Sequence, residues 1–225
     1  MSASTTVLVV LTLLLVLGMV ALERGGGGGP KEMALVATLG AAAAAGRVFF
    51  SPLPGVQPVT LTCLVTGAAL GPRAGLAVGP LAGLLSNSFL GQGPWTPAQM
   101  ALWGAAGLTG AALKGVCQHR VGLAAVGFAW GIAFGWAMNA WFLASFGPEL
   151  NWASLLLSGG RSLPFDLAHA IANAVLALVA GPALLRLLGR YALRVRTEVV
   201  TPATAPGPAT GGLPPHGPPA PAPPR

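Results

Sequence analysis

Residues 121–146 read Val-Gly-Leu-Ala-Ala-Val-Gly-Phe-Ala-Trp-Gly-Ile-Ala-Phe-Gly-Trp-Ala-Met-Asn-Ala-Trp-Phe-Leu-Ala-Ser-Phe, with no charged side chain among them. A helix needs about 20 apolar residues to cross the hydrocarbon core of a bilayer, and backbone facing lipid must satisfy its hydrogen bonds internally. This stretch meets both conditions. The same criterion applied outward finds six more segments, at 5–22, 32–49, 57–72, 74–90, 98–117 and 164–189. The expected fold is therefore an all-α integral membrane protein, a core of six transmembrane helices preceded by one extra N-terminal helix. Segments 57–72 and 74–90 are short and rich in Gly and Pro, so their ends are expected to be bent or re-entrant, and a count of six spans stays open.

Composition agrees. Of 225 residues, 54% are hydrophobic and 8% charged, with a mean hydropathy of +0.72, too few charges to cover a soluble globule. The formal charge of +7 is not spread along a face that could follow a phosphate backbone, which argues against nucleic-acid binding. Much of it lies in Arg186, Arg190, Arg194 and Arg196, after the last apolar segment, as a cytoplasmic membrane flank does. Met1–Thr6 carries no Lys or Arg before the first apolar run, which argues against a cleaved signal peptide. Cys63 and Cys117 have no partner at metal-ligand or redox spacing. No metal or cofactor is expected.

The boundaries follow from the punctuation. Residues 1–24 form the leading helix, 25–30 a Gly linker, 31–197 the six-helix membrane domain, and 198–225 a tail so rich in Pro and Ala that it is expected to be disordered and cytoplasmic. With the C-terminus inside, seven spans put Arg24, Lys31, Arg73, Lys114, Arg120, Arg186, Arg190, Arg194 and Arg196 in the cytoplasm, and only Arg47 and Arg161 outside. That bias sets the expected orientation of a multi-pass protein of the cell membrane.

The cytoplasmic connections are then plain and the outer ones are not. The outer segments contain Arg47-Val-Phe-Phe-Ser-Pro-Leu-Pro-Gly-Val-Gln57, Ser86-Asn-Ser-Phe-Leu-Gly-Gln-Gly-Pro-Trp-Thr-Pro97, and the stretch from Phe146 to Asp166. Amides beside aromatic faces suit a pocket for a partly planar, polar-edged molecule, and Gln57, Asn87, Gln92 and Trp95 are candidate contacts. The other use of these aromatics is an interfacial belt. Asn139, towards the outer half of its helix, is either a ligand contact or interhelical glue. Asp166, His169 and Asn173 follow one another at three- and four-residue intervals on one helical face. They either face the ligand or serve as a helix cap and bonds to neighbouring helices. Ala37, Ala41 and Ala45 form a small-residue ridge that allows close approach of another helix, inside the chain or on another subunit. The sequence has no GxSxG, HExxH or paired catalytic carboxylates, so an enzyme is not expected, and no Walker motif, so any driving ATPase is a separate chain.

Taken together, the Ala-xxx-Ala ridge, Pro-Gly-Val-Gln-Pro-Val-Thr at 54–60, Ser86-Asn87, Gly-Gln-Gly-Pro-Trp-Thr-Pro at 91–97 and Phe-Asp-xx-His-xxx-Asn at 165–173 resemble the substrate-binding S components of energy-coupling factor (ECF) transporters. The resemblance covers roughly residues 31–195. It implies that the outer loops capture a vitamin, and that the Ala37, Ala41 and Ala45 ridge docks on a transmembrane coupling subunit working with two cytoplasmic ATPases. The outer motifs look most like those of S components for cobalamin or other vitamins. Cobalamin is the cargo named here, although no His or Cys stands in an outer loop as a cobalt ligand. The alternatives are a scaffolding membrane protein and a self-contained secondary carrier. A carrier usually shows more intramembrane charge than Asp166 and His169, and internal repeats.

Overall fold

The structure is a computed structural model and describes residues 30–147 and 149–198, with side chains as far as Leu193. The expected leading helix, most of the Gly linker and nearly all of the tail lie outside the described residues. Among those described, every regular element is a helix: α1 Pro30–Phe49, α2 Val59–Leu70, α3 Pro72–Leu90, α4 Thr96–Ala112, α5 Lys114–Cys117, α6 Arg120–Phe146, α7 Trp152–Val179 and α8 Gly181–Glu198. Three of them, α1, α6 and α7, are long and apolar enough to cross a membrane.

Local chemistry explains most of the boundaries. Pro30 opens α1 where a missing N–H costs nothing, and Glu32 in the first turn with Arg47 in the last suits the helix dipole. At the join of α2 and α3, Gly71 takes φ +100° and returns its N–H to Gly67 O at 3.0 Å, and Pro72 starts the next helix.

Three boundaries differ from the sequence expectation, the first being the segment expected over 98–117, which breaks at Leu113 into α4 and the single turn α5. The connection expected from Phe146 to Asp166 is helical from Trp152, because Asn151 Oδ1 accepts the N–H of Ser154 at 2.9 Å and caps α7 a dozen residues before the expected start. The helix expected over 164–189 is accordingly two helices. Pro164 lies inside α7, and the chain breaks at Ala180 because Pro182 has no N–H to continue the ladder.

The bundle is tied together by glycine. Along α3, Gly75 lies against Gly107, Gly79 against Trp103 and Gly104, and Gly83 against Met100 and Trp103, an antiparallel register with α4. Along α6, Gly127 lies against Asn173, Gly131 against Ala170 and Gly135 against Asp166, and Asn139 bonds to Ser162, so α6 and α7 are also antiparallel and close along a four-residue repeat. Lipid offers little hydrophobic drive for helix association, so small residues that let backbones touch supply the contact instead. A Cβ at Gly131 would collide with the Ala170 backbone, and one at Gly135 with the Asp166 carboxylate.

Helix α2 occupies the middle. From Val59 to Ala68 only Thr62 is not buried. Its side chains divide between two cores, one built with Leu123, Ala177 and Leu188, the other with Ala43, Val78, Trp103 and Phe134. The second core carries the polar residues described next.

Candidate functional site

Segment 50–58 joins α1 to α2 and folds back over the bundle. Gly55, at φ +78°, is buried against the backbone of Ala168 and His169, a position that needs both a left-handed conformation and no side chain. Between this segment and the helix ends lies a cavity of about 170 Å³, lined by residues that include Arg47, Ser51, Gly55, Gln57, Leu90 and Phe165.

Arg47 organises one wall. Its Nε donates to Gln57 Oε1 at 3.0 Å, and its Nη1 donates to Ser86 Oγ at 2.7 Å and to Asn87 Oδ1. The guanidinium carbon lies 5.0 Å from the centre of the Trp103 ring, within cation–π range. A second tier holds the first in place: Asn87 Nδ2 donates to Thr96 Oγ1 and to Gln99 Oε1, both at 2.9 Å, and Thr96 Oγ1 donates to Gln92 Oε1 at 2.9 Å. Gln92 Nε2 in turn donates to Leu84 O at 3.0 Å. The network joins the ends of α1, α3 and α4 to the start of α2 by neutral partners around one cation.

A separate polar line runs down the seam of α6 and α7. Asn139 Nδ2 donates to Ser162 Oγ at 2.8 Å, and Ser162 Oγ donates to Asp166 Oδ2 at 2.7 Å. Asp166 is buried at 2% exposure with its carboxylate against Gly135. His169 stands between the two sets, its Nε2 3.4 Å from Thr60 Oγ1 and its ring edge-on to Phe134 at 5.6 Å. Asn173 is buried, and neither of its amide atoms has a hydrogen-bond partner among the described residues.

The eight sequence-derived candidates thus fall into groups. Gln57, Asn87 and Gln92 belong to the Arg47 network; Asn139 and Asp166 are joined through Ser162; His169 contacts segment 50–58 through the Gly55 backbone; Asn173 lies deeper on α7. Trp95 is exposed, its indole over Gly93, while its neighbour Thr96 enters the network. Ala37, Ala41 and Ala45 are all exposed on α1, whose core-facing residues are Gly40, Ala43 and Ala44.

Sequence reasoning missed Arg47 itself, together with Gln99, Trp103 and Ser162. The signal for Arg47 is in the sequence: it is the single charge at the outer end of segment 32–49 and, with Arg161, one of two exceptions to the charge bias. Ser162 precedes Asp166 by four residues, but in the sequence it falls within the connection expected from Phe146 to Asp166. Among the described residues there is no group of His, Cys, Asp and Glu able to hold a metal ion. No family model, curated protein or solved structure matches this chain.

Proposed function

We propose that the chain is a membrane-embedded capture subunit, binding a small molecule from the non-cytoplasmic side in the cavity beneath segment 50–58 and passing it to a separate energised module, as an S component of an ECF importer does. The observation that carries this reading is a cavity at one end of the helices whose wall includes Arg47 and Gln57, with Ser86, Asn87, Thr96 and Gln92 forming the hydrogen-bond network behind Arg47. A polar network whose centre, Ser86, Asn87 and Thr96, is buried is costly to assemble, and one beside an open cavity has the mixed apolar and hydrogen-bonding character of a ligand site.

In this reading α1, α2, α3, α4, α6 and α7 are the six spans of the core, with α2 shielded from lipid by the others. Lys31, Arg73, Lys114, Arg120, Arg186 and Arg190 then flank the cytoplasmic end, and the cavity opens on the opposite side, in the cell membrane. The protein binds and delivers; it performs no chemistry of its own. The exposed alanines of α1 are the docking ridge for the coupling subunit. The cavity corresponds to the liquid volume of about six waters. That size favours a compact vitamin-like ligand, or the head of a larger one, over a whole corrin ring.

The test is native mass spectrometry of the full chain purified in mild detergent from a vitamin-replete host. A co-purifying small molecule, lost when Asn87 is replaced by Ala, is the expected result. A reproducibly empty protein that is also not stabilised by added cobalamin, riboflavin, thiamine or biotin would remove this reading in favour of a scaffold.

A further inference from the structure

The Arg47 guanidinium has five N–H donors, of which Nε and both hydrogens of Nη1 are engaged by Gln57, Ser86 and Asn87. Nη2 has no hydrogen bond among the described residues. All of its neighbours in the network are neutral, and no carboxylate among the described residues forms an ion pair with it. Glu32 lies at the opposite end of α1, Glu149 is exposed, and Asp166 is turned to Ser162 and Gly135. A charge removed from water is expensive without an opposite charge, and arginine within an apolar bundle normally has one. Arg47 is half-buried: its partners hold the plane of the guanidinium and the Trp103 ring lies against it, but none of them supplies an opposite charge.

Two further donors on the same cavity wall are without protein acceptors among the described residues: Gln57 Nε2 and the hydroxyl of Ser51. The planar fork of arginine matches a planar carboxylate. Among the residues lining the cavity Arg47 is the single cation, so a ligand group of one negative charge leaves the site neutral, whereas a phosphate dianion would leave an unpaired charge of the opposite sign.

Resting on the capture reading above, we infer that the captured molecule carries a carboxylate, which pairs with Arg47 Nη2 and accepts from Ser51 and Gln57. Arg47 selects for acid ligands, and Ser86, Asn87 and Trp103 are its positioning residues.

The test compares the small molecules released from purified full-length wild type, Arg47→Gln, Arg47→Lys and Ser51→Asp by mass spectrometry in both polarities. Size-exclusion and thermal profiles check the fold of each. Wild type is expected to release a carboxylic acid. Arg47→Gln is expected to retain at least about tenfold less, because one lost charge-assisted bond is worth about that factor. Arg47→Lys is expected to keep part of it. Ser51→Asp supplies the missing anion from an exposed loop position, so it should fold normally and expel the ligand. A neutral or cationic ligand, or an acid retained equally by Arg47→Gln or by Ser51→Asp, would overturn the inference and leave the capture reading standing. If Arg47→Gln does not fold, the Ser51→Asp result decides. A wild type that emerges empty overturns both.

Discussion

The carboxylate of Asp166 occupies the space that a side chain at Gly135 would need, so the two helices α6 and α7 approach through a residue that is absent on one side and ionisable on the other. Gly135→Ala therefore forces either Asp166 or the helix backbone to move. Overpacking of this kind costs about 1–3 kcal/mol. Thermal unfolding in detergent should show a midpoint lower than wild type by roughly 2–4 °C for each kcal/mol, and an unchanged midpoint would mean that the seam is looser than the contact implies.

Ser162 links Asn139 to Asp166, and Ser162→Ala leaves both without that partner. The cost of stranding buried polar groups is about 1–3 kcal/mol. Because the line lies on the seam and apart from the Arg47 network, Ser162→Ala and Asn139→Ala are expected to lower thermal stability while ligand affinity, measured by equilibrium binding at a permissive temperature, changes by less than about threefold.

Asn173 is the inverse case. Its amide is buried at 1% exposure with neither polar atom bonded among the described residues, so Asn173→Leu, of the same branched shape, removes an unsatisfied group without opening a cavity. The expected gain is about 1 kcal/mol or more, read as a raised unfolding midpoint. A fall would show that the amide has a partner that only the assembled or ligand-bound protein supplies.

Gln57→Ala removes the acceptor of Arg47 Nε, and Asn87→Ala removes both an acceptor of Nη1 and the link to Thr96 and Gln99. Hydrogen bonds to a charged group contribute about 1.5–3 kcal/mol. Each substitution is expected to weaken capture of the co-purified ligand about tenfold or more by competition binding, with Trp95→Ala as an exposed comparison of small effect.

Ala41 faces outward from α1. Ala41→Leu is expected to leave the unfolding midpoint of the isolated chain within about 1–2 °C of wild type and to block co-purification with a coupling subunit. A large fall in midpoint without loss of assembly would instead place the ridge against another part of the same chain.

How much of this was legible in the sequence depends on the range of the interaction. Hydropathy and local punctuation read α1 and α3 to within a few residues, since Pro30 and the Gly71-Pro72 pair act on their own neighbours. The start of α7 is not legible because the mostly apolar run Trp152 to Leu157 after its cap, Asn151, is only six residues long before Ser158, Gly159, Gly160 and Arg161 interrupt it, so helix and loop look alike. The repeat of Gly127, Gly131 and Gly135 was open to inspection as a small-residue seam, yet its partner could not be named, because nothing local says that Asp166 fills the gap. The role of Arg47 was hidden for the same reason. Gln57 stands close in sequence, but Ser86 and Asn87 lie about forty residues away, and only the fold shows that all of them are neutral company for a single charge.

Helix α2, with twelve residues, is only about 18 Å long, against a hydrocarbon thickness of about 30 Å. On the capture reading, with α2 centred in the bilayer, the helix would begin about 6 Å below the membrane surface and segment 50–58 would descend to meet it. An anion reaching Arg47 from outside a cell with a negative interior would then traverse about one fifth of the transmembrane voltage, an opposing energy of about 0.5 kcal/mol per 100 mV. On that reading the shortness of one helix would make capture electrically sensitive, with affinity about twofold lower in polarised than in unpolarised vesicles.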